Sequence, residues 1–264
     1  MAKKIAIIGG GNLGSAIAEG LLISKFSKAA DLIVTKRNTA TLRTLNDKGV
    51  EITDNNNSAV KRSDVIILAV KPFQVSEVLG AVKKELTANK ILISVVTGVT
   101  IGDMESILGK KIPLFRAMPN TAIAIQQSMT CVSSKDAEAD DVKYVNELFG
   151  KLGKIVTIDE KLMEASTILA ACGTAYAMRY IRANIQGGIE IGFDAPTASL
   201  IAAQTVKGAA ELLLTKGSHP EQEIDKVTTP KGCTIAGLNE MEHQGFSSSL
   251  IKGIVASYKK IAKD

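Results

Sequence analysis

The sequence predicts the α/β fold class, with an open doubly wound sheet in the first part of the chain and only helices in the second. Up to about residue 158, short β-branched runs alternate with helical patterns. The run at residues 65–70 is apolar on both faces, which is typical of a parallel strand covered by helices on each side. After this first part the strand pattern stops. We therefore predict two domains, at residues 1–158 and 159–264.

The predicted strands are short runs rich in Val and Ile, separated by turn residues and helical stretches. This alternation of strand and helix is the rhythm of successive β-α-β units, which form an open sheet with helices on both faces. The strands are predicted at residues 4–8, 32–35, 65–70, 91–96, 114–117, 129–132 and 155–158.

The second domain is predicted to contain long helices punctuated by Gly and Pro. One extends over about residues 160–185 and ends near the glycine pair at 187–188. Another has Asp194 as its N-cap residue and Pro196 in its first turn, and it ends at Gly217. The second part of the chain is therefore expected to be all-α.

The composition of the helical domain favours self-association. Its helices are rich in Ala, and aromatic residues make up only 4% of the chain. Such helices are poorly equipped to close a core alone, so their apolar faces are expected to pack against a second copy. The sequence predicts an obligate homodimer built on an all-α dimerisation domain; the alternative is a compact monomeric bundle.

Composition and charge exclude several classes of function. The chain has 264 residues, 45% of them hydrophobic and 22% charged, and a net charge of +5. The basic residues are spread along the chain and Trp is absent, so no nucleic-acid partner is expected. No apolar stretch approaches the roughly 20 residues that span a bilayer, so no membrane association is expected. Since the start lacks a signal-peptide pattern, we expect a cytoplasmic protein.

Cysteine and histidine are too few and too scattered for a metal centre. Cys131, Cys172 and Cys233 form no C-x-x-C pair, and His219 and His243 are the only histidines. This pattern indicates neither a disulfide framework nor a zinc site, so no metal is expected. No G-x-S-x-G segment is present to prepare a serine nucleophile, which argues against a hydrolase.

The segment after the first predicted strand is typical of a dinucleotide-binding turn. Gly9, Gly11 and Gly14 have the spacing G-x-G-x-x-G, with Asn12 and Leu13 before the last glycine and an Ala-rich helical pattern after it. The glycines allow a tight turn, close approach to a pyrophosphate and close helix packing. The N-terminus of the helix offers free N–H groups to the phosphates. We predict a Rossmann-like domain that binds a dinucleotide; the alternative is a turn that binds nothing.

The type of dinucleotide is determined at the end of the second strand. An acidic residue there would bind the ribose hydroxyls of NADH and repel a 2′-phosphate. This sequence instead has Thr35, Lys36, Arg37 and Asn38. Two cations with hydroxyl and amide donors suit a 2′-phosphate, which Arg37 can bind in bidentate fashion. The sequence favours NADPH as the cofactor, with NADH still open; the alternative is two exposed basic residues after a strand.

Three further segments follow predicted strands, at the carboxyl edge of the sheet where open α/β folds bind ligands. In the segment 69–72, Pro72 fixes the turn and pushes Lys71 into extended geometry, facing the crevice. The segments 95–98 and 118–121 reach the same edge. Several polar groups are therefore expected to converge near a nicotinamide, although each alone could be turn chemistry.

Nearly the whole chain resembles the pyrroline-5-carboxylate reductases, the enzymes of the last step of proline synthesis. The likeness rests on residues 8–14, 69–72, 98–100 and 116–121, and on Pro-Lys-Gly-Cys-Thr-Ile at 230–235. Only the last segment is specific, since the others occur in several NADP-linked relatives. Family members usually have glycine where Lys231 stands. Because a lysine enters positive φ less easily than glycine, we expect this loop to be shaped differently.

The resemblance implies an N-terminal dinucleotide-binding domain and a C-terminal helical domain that interlocks with that of a second subunit. Larger rings of such dimers also occur in the family. By matching positions, the cofactor would contact Gly9, Gly11, Asn12, Leu13, Gly14, Thr35, Lys36, Arg37, Asn38, Asn56, Ala69, Val70, Lys71, Pro72, Val95, Val96 and Thr97. The substrate would contact Glu160, Gly232, Cys233 and Thr234.

The activity that the resemblance implies is the NADPH-dependent reduction of 1-pyrroline-5-carboxylate to L-proline. A protonated imine is already electrophilic, so catalysis consists mainly of positioning and electrostatics. Residues 230–234 are predicted to form a turn that opens a helix, whose free N–H groups seat the substrate carboxylate. The hydroxyl of Thr234, the predicted catalytic residue, then reaches the ring nitrogen; the alternative is that Thr234 is only an N-cap.

Two other functions stay open. The first is an NADP-linked reductase that acts on another small imine or on a 2-oxo acid. The second is a dimer that binds NADPH without turnover, because Lys231 and the segment 170–176 both depart from the family pattern.

Overall fold

The computed structural model describes residues 3–262, and the chain divides into two compact units, Met1–Cys172 and Gly173–Asp264. The first unit contains an eight-stranded sheet. Its strands are β1 (Ile5–Ile8), β2 (Leu32–Thr35), β3 (Glu51–Thr53), β4 (Val65–Leu68), β5 (Ile91–Ser94), β6 (Leu114–Met118), β7 (Ser128–Lys135) and β8 (Gly153–Thr157). Its helices are α1 (Asn12–Ile23), α2 (Arg43–Asp47), α3 (Asn56–Lys61), α4 (Val75–Val82), α5 (Ile101–Leu108), α6 (Ala139–Gly150) and α7 (Met163–Ser166), followed by a π-helical segment, Thr167–Cys172.

The strand order is β3-β2-β1-β4-β5-β6-β7-β8. Neighbouring strands are parallel except β6 and β7, which are antiparallel. The chain moves outward from β1 to β3 and then returns to place β4 on the other side of β1. This reversal is the topological switch point at which such sheets bind ligands. The prediction of an open doubly wound sheet is confirmed.

The sheet forms because its central strands are apolar on both faces. All four residues of β1 are fully buried, as are those of β2, β4 and β5. Ile5 and Ile7 pack into one core with α1 and α6, whereas Ala6 and Ile8 pack into the opposite core with α4 and α5. Alternate residues of one strand therefore support two helical layers, which is the physical basis of a three-layer α/β domain.

Two features of the sheet differ from the sequence prediction. The edge strand β3 was not predicted, because Glu51 is exposed while Ile52 and Thr53 are only half-buried, so no apolar pattern marks it. β7 runs antiparallel to β6 because the connection at residues 119–127 holds only a single 3-10 turn, Thr121–Ile125. A parallel return would need a crossover of a dozen or more residues, usually a helix.

The second unit is helical, as predicted. Its helices are α8 (Gly173–Glu190), α9 (Ala195–Lys216), α10 (Pro220–Lys226), α11 (Cys233–His243) and α12 (Phe246–Ala262). For α9 the predicted signals are confirmed: Asp194 Oδ1 accepts a hydrogen bond from the Thr197 N–H at 3.0 Å, and Gly217 ends the helix in the left-handed conformation. The hydrogen bond with Thr197 also lowers the pKa of the Asp194 carboxyl.

The single long helix predicted over residues 160–185 is wrong. A 3-10 turn at Glu160–Leu162, the short α7 and the π-helical segment precede α8, which then continues through the glycine pair to Glu190. Gly188 serves packing rather than termination, because a Cβ there would lie 3.2 Å from the Cβ of Ala198 on α9, whereas a Cβ on Gly187 would meet no atom within 4 Å. The end of α8 is instead marked by Gly192, at a φ of 113°.

The second unit buries little of its own apolar surface. Among its described residues, only Ala198 and Ala202 are fully buried. Large apolar side chains stand exposed on its helices: Met178, Ile189, Leu200, Ile201, Leu212, Leu214, Leu250, Ile251 and Val255. An exposed apolar surface of this extent marks an interaction face. Within residues 3–262, no helix combines the length and apolarity needed to cross a membrane.

Two helix glycines provide a matched test of packing in the first unit. A Cβ on Gly20 of α1 would lie 2.7 Å from the Ile123 carbonyl oxygen, whereas a Cβ on Gly80 of α4 would meet no atom within 4 Å. Overpacking costs about 1–3 kcal/mol, while alanine gains about 1 kcal/mol over glycine in a helix interior. We expect Gly20→Ala to lower the free energy of unfolding by about 1–2 kcal/mol and Gly80→Ala to raise it by about 0.5–1 kcal/mol.

Urea unfolding followed by circular dichroism measures both changes. Both variants gain the helix propensity of alanine over glycine. The difference between their free energies of unfolding therefore measures the contact between residue 20 and the Ile123 carbonyl oxygen. Equal effects in the two variants would contradict the close approach of α1 to the Thr121–Ile125 turn.

Candidate active site

The glycine turn is shaped by backbone contacts that leave no room for side chains. Gly9 has a φ of 110°, and a Cβ there would lie 2.5 Å from the Ala69 carbonyl oxygen. A Cβ on Gly14 would collide with the carbonyl oxygen of Gly9, so the missing side chain lets α1 rest directly on the turn. A Cβ on Gly11 would meet no atom within 4 Å, which leaves the backbone there open to a ligand. The turn is thus a cradle at the N-terminus of α1.

Thr35, the last residue of β2, fixes the glycine turn through hydrogen bonds. Its carbonyl oxygen accepts hydrogen bonds from the N–H groups of Gly9 (3.2 Å) and Gly10 (2.7 Å). Its Oγ1 lies 3.3 Å from the Gly9 N, and the residue is only 2% exposed. The end of β2 is therefore tied to the end of β1, and Thr35 positions the cradle with its backbone as well as its hydroxyl.

A cavity of about 820 Å³ lies over the carboxyl ends of β1 to β5. Every residue predicted from the sequence to bind the cofactor lines it, except Gly14, which packs beneath the turn. Apart from Gly10 within the glycine turn, five lining residues were not predicted: Ile8, Asp54, Gln74, Glu77 and Val78. The structure therefore brings the segments 9–13, 35–38, 69–72 and 95–97 together at one edge of the sheet, as a dinucleotide site requires, whereas the segment 118–121 does not line this cavity.

The charged side chains of this cavity are mixed in sign. Lys36, Arg37 and Lys71 are its cations, and Asp54 and Glu77 its carboxylates. Arg37 Nη2 lies 3.9 Å from Glu77 Oε1, and both side chains are largely exposed, at 81% and 73%. The cations suit the phosphates of a dinucleotide, while the carboxylates limit how strongly they attract one.

Lys71 has the predicted extended backbone, with φ −73° and ψ 148°, because Pro72 follows it. Its backbone N–H donates to Gln74 Oε1 at 3.2 Å, which closes a capping box over the Pro72–Gln74 turn. This turn leads into α4 and so places Glu77, in the first turn of that helix, at the rim of the cavity.

A buried ion-pair cluster lies next to the sheet and was missed by sequence reasoning. Arg116 on β6 is 1% exposed, and its Nη1 and Nη2 lie 3.2 Å from Glu160 Oε1 and 3.1 Å from Glu164 Oε1. Glu160 Oε1 also accepts the Ile101 N–H at 2.6 Å, at the start of α5. The available signal was a lone arginine within the apolar run Leu-Phe-Arg-Ala-Met, since a buried charge requires a partner.

Asn120 anchors the π-helical segment. Its Nδ2 donates to the Ala170 carbonyl oxygen at 3.1 Å, and its Oδ1 accepts the Ala122 N–H at 3.0 Å. π-helical turns lack the regular backbone pairing of an α-helix and are frequent at functional sites. Asn120 therefore stabilises an irregular segment that immediately precedes α8 in the chain.

The loop before α11 contains the predicted substrate residues. Lys231 adopts a φ of 58°, so this lysine takes up the left-handed conformation that a lysine enters less easily than glycine. The N-cap residue of α11 is Gly232, and Cys233 and Thr234 are the first residues of the helix. The alternative that Thr234 is only an N-cap is therefore wrong. Within residues 3–262, no side chain caps this helix N-terminus.

Fold and cavity together define the class: a Rossmann-type dinucleotide-binding protein with an appended helical unit. A family model described as "NADP oxidoreductase coenzyme F420-dependent" matches residues 4–98. One described as "Pyrroline-5-carboxylate reductase dimerisation" matches residues 160–264. The first match covers the strands that build the cavity, and the second covers the whole helical unit.

Similar proteins carry the same family name. Pyrroline-5-carboxylate reductase 1 of Dictyostelium discoideum is 48% identical over 98% of this chain, which spans about half (49%) of that relative. Pyrroline-5-carboxylate reductase 2 of the same organism is 43% identical over 99% of this chain and 93% of the relative. The crystal structure of Plasmodium falciparum pyrroline carboxylate reductase with NADP bound matches with a TM-score of 0.88 and 29% identity, covering 98% of this chain and 96% of that one. This chain belongs to the pyrroline-5-carboxylate reductase family.

Replacing the buried arginine tests the cluster of Arg116, Glu160 and Glu164. Breaking a buried ion pair costs about 3–5 kcal/mol, and the partial exposure of both carboxylates reduces this, so we expect Arg116→Met to destabilise the protein by about 2–3 kcal/mol. Arg43→Met is the matched control, because the ion pair that Arg43 forms among residues 3–262 is an exposed one with Asp47. Urea unfolding should show a lower midpoint for the first variant and an unchanged midpoint for the second. A stable Arg116→Met variant would show that the cluster does not support the fold.

Proposed function

We propose that this protein catalyses the NADPH-dependent reduction of 1-pyrroline-5-carboxylate to L-proline. The observation that carries the proposal is the glycine cradle with Lys36 and Arg37 at its rim, in a chain of the pyrroline-5-carboxylate reductase family. The relatives' names support the substrate, and the NADP bound to the similar Plasmodium falciparum enzyme supports the cofactor.

The residues present fit NADPH. The open backbone at Gly11 and the N-terminus of α1 suit the pyrophosphate, because no side chain blocks them. Lys36, Arg37 and Asn38 would hold the 2′-phosphate, and the segments 69–72 and 95–97 would hold the rest of the dinucleotide. When bound, NADPH supplies the hydride that reduces the imine carbon.

The substrate is proposed to bind at the N-terminus of α11. The N–H groups there suit a carboxylate, and Gly232 and Cys233 would hold it close to the backbone. The Thr234 hydroxyl would orient the ring nitrogen, as it lies within the first turn and is not used as a cap. Catalysis is then positioning of an electrophilic ring rather than strong acid catalysis.

Glu160 is proposed to stabilise the positive charge of the protonated imine. Its Oε1 is already held by Arg116 and by the Ile101 N–H, so the carboxylate has little freedom left to lose when a ligand binds. The other oxygen, Oε2, would then meet the substrate. This assignment rests on the position of Glu160, which matches a substrate-contacting position of the family, and on the two contacts that already fix its side chain.

We further propose a cytoplasmic homodimer that associates into a larger ring. The family model for the second unit is a dimerisation model, and the exposed apolar helix faces require a cover. The domain boundary is proposed between residues 158 and 159, whereas the two compact units of the structure are divided between Cys172 and Gly173.

The direct test follows NADPH absorbance with 1-pyrroline-5-carboxylate as substrate and detects proline chemically. Oxidation of NADPH together with formation of proline supports the proposal. If NADPH is oxidised only with a different small imine or with a 2-oxo acid, the protein is a reductase for that substrate instead. If NADPH binds and is not oxidised with any of them, the protein is a dimer that binds NADPH without turnover.

Removing the two cations tests the cofactor assignment. The variant Lys36→Gln with Arg37→Gln loses the charge-assisted contacts to a 2′-phosphate, so its apparent KM for NADPH should rise about tenfold or more. The KM for NADH should change much less. Arg43→Gln, an exposed arginine outside the cavity, serves as the control. Equal changes for the two cofactors would refute a 2′-phosphate site at these residues.

Thr234 is tested by removing its hydroxyl. If one hydrogen bond in the transition state is lost, kcat/KM of Thr234→Ala should fall by about tenfold to a thousandfold. Thr234→Ser keeps the hydroxyl and should restore most of the activity. Cofactor binding and the thermal unfolding profile should be unchanged in both variants. Normal kinetics in Thr234→Ala would remove this residue from the catalytic site.

A further inference from the structure

Glu77 is an acidic residue at the cofactor cavity that neither the motif spacing nor the family positions pointed to. It lies in the first turn of α4 and lines the same cavity as Arg37. Its Oε1 is 3.9 Å from Arg37 Nη2. The guanidinium proposed to receive a 2′-phosphate therefore already has an anionic partner within the cavity.

The two ligands of Arg37 would compete. A 2′-phosphate and the Glu77 carboxylate carry the same sign of charge, so both cannot approach one exposed guanidinium without repelling each other. A dinucleotide without the 2′-phosphate has no such conflict, since it can bind while Arg37 stays paired with Glu77. The carboxylate therefore penalises only one of the two cofactors.

We propose that Glu77 is a specificity-determining residue that holds Arg37 and thereby lowers the preference of the protein for NADP(H) over NAD(H). This inference rests on the proposed function, because it assigns the 2′-phosphate to Arg37. Glu77 is not needed to hold the dinucleotide. When the 2′-phosphate binds Arg37, the ion pair between Arg37 and Glu77 is lost, and this loss offsets part of the binding energy of the phosphate.

Asp54 is the other carboxylate of the cavity, and it is less suited to this role. It follows β3, and among residues 3–262 it forms no ion pair with Arg37 or Lys36. Asp54 can repel a phosphate only through space, whereas Glu77 also forms an ion pair with the guanidinium that the phosphate would use. The effect of Glu77 on NADP(H) binding therefore depends on Arg37, whereas that of Asp54 does not.

The size of the effect is limited by exposure. Both side chains of the pair are mostly in solvent, and exposed pairs of this kind change an equilibrium by at most about fivefold. Salt screens the interaction over roughly 10 Å at 0.1 M ionic strength. The selectivity change should therefore be small, measurable at low salt, and reduced at high salt.

The experiment measures binding rather than turnover. Dissociation constants of NADP⁺ and NAD⁺ are determined by calorimetry for the full chain and for Glu77→Gln, at low and high salt. We expect Glu77→Gln to bind NADP⁺ about two- to fivefold more tightly at low salt, with NAD⁺ unchanged. Glu147→Gln is the control, because Glu147 is an exposed glutamate of α6 outside the cavity, and it should change neither constant.

A second variant separates competition from simple repulsion. In an Arg37→Gln background no guanidinium remains to be released, so Glu77→Gln should no longer improve NADP⁺ binding. A gain that persists at full size in that background, equal gains for NADP⁺ and NAD⁺, or no gain at all would each overturn the inference. Failure of the starting protein to bind NADP⁺ would instead count against the proposed function.

Discussion

The close approach of α1 to the end of β1 is the constraint on which the rest of the first unit depends. Gly14 has no Cβ, and this lets the helix rest on the carbonyl oxygen of Gly9. The contact fixes the direction of α1, so that its N-terminus points across the carboxyl ends of the strands. Ala69, at the end of β4, closes on the other side of Gly9, because the two strands are paired in register from Ile5 and Val65 onward. The shape of the turn and the direction of the helix follow from the absence of side chains at Gly9 and Gly14, and the open backbone at the cavity follows from its absence at Gly11.

Polar side chains of the unit hold several of the segments that follow its strands. Thr35 ties the end of β2 to the glycine turn, and Asn120 supports the π-helical segment. Arg116 holds Glu160 and Glu164 from within the sheet. A guanidinium that is 1% exposed is expensive to bury, so its two carboxylates must be kept in place for the fold to tolerate it. The residues after β8 are therefore ordered by charge rather than by apolar packing alone.

Most of the fold was predictable because its signals are local. Apolar strands such as Ile5–Ile8, the glycine spacing and the caps of α9 each depend on neighbouring residues in the chain. The features that were not predicted from the sequence depend on contacts or conformations that neighbouring residues in the chain do not determine. The glycine at 188 was expected to end a helix but serves packing against Ala198, and Lys231 takes a left-handed conformation although its own preference opposes it. Glu77 and Asp54 reach the cavity only through the fold, so no spacing rule could place them there.

The helical unit differs from the first unit because it buries little of its own apolar surface. α9 and α10 begin at capping side chains, Asp194 and His219, yet among the described residues of the unit only two alanines are buried. Such helices are stabilised chiefly when their apolar faces pack against another surface. The family model that matches these residues is one for dimerisation, so the surface belongs to a homo-oligomer. The N-terminus of α11, the proposed substrate seat, is part of this weakly buried unit, whereas the glycine cradle is built on a sheet that closes its own core.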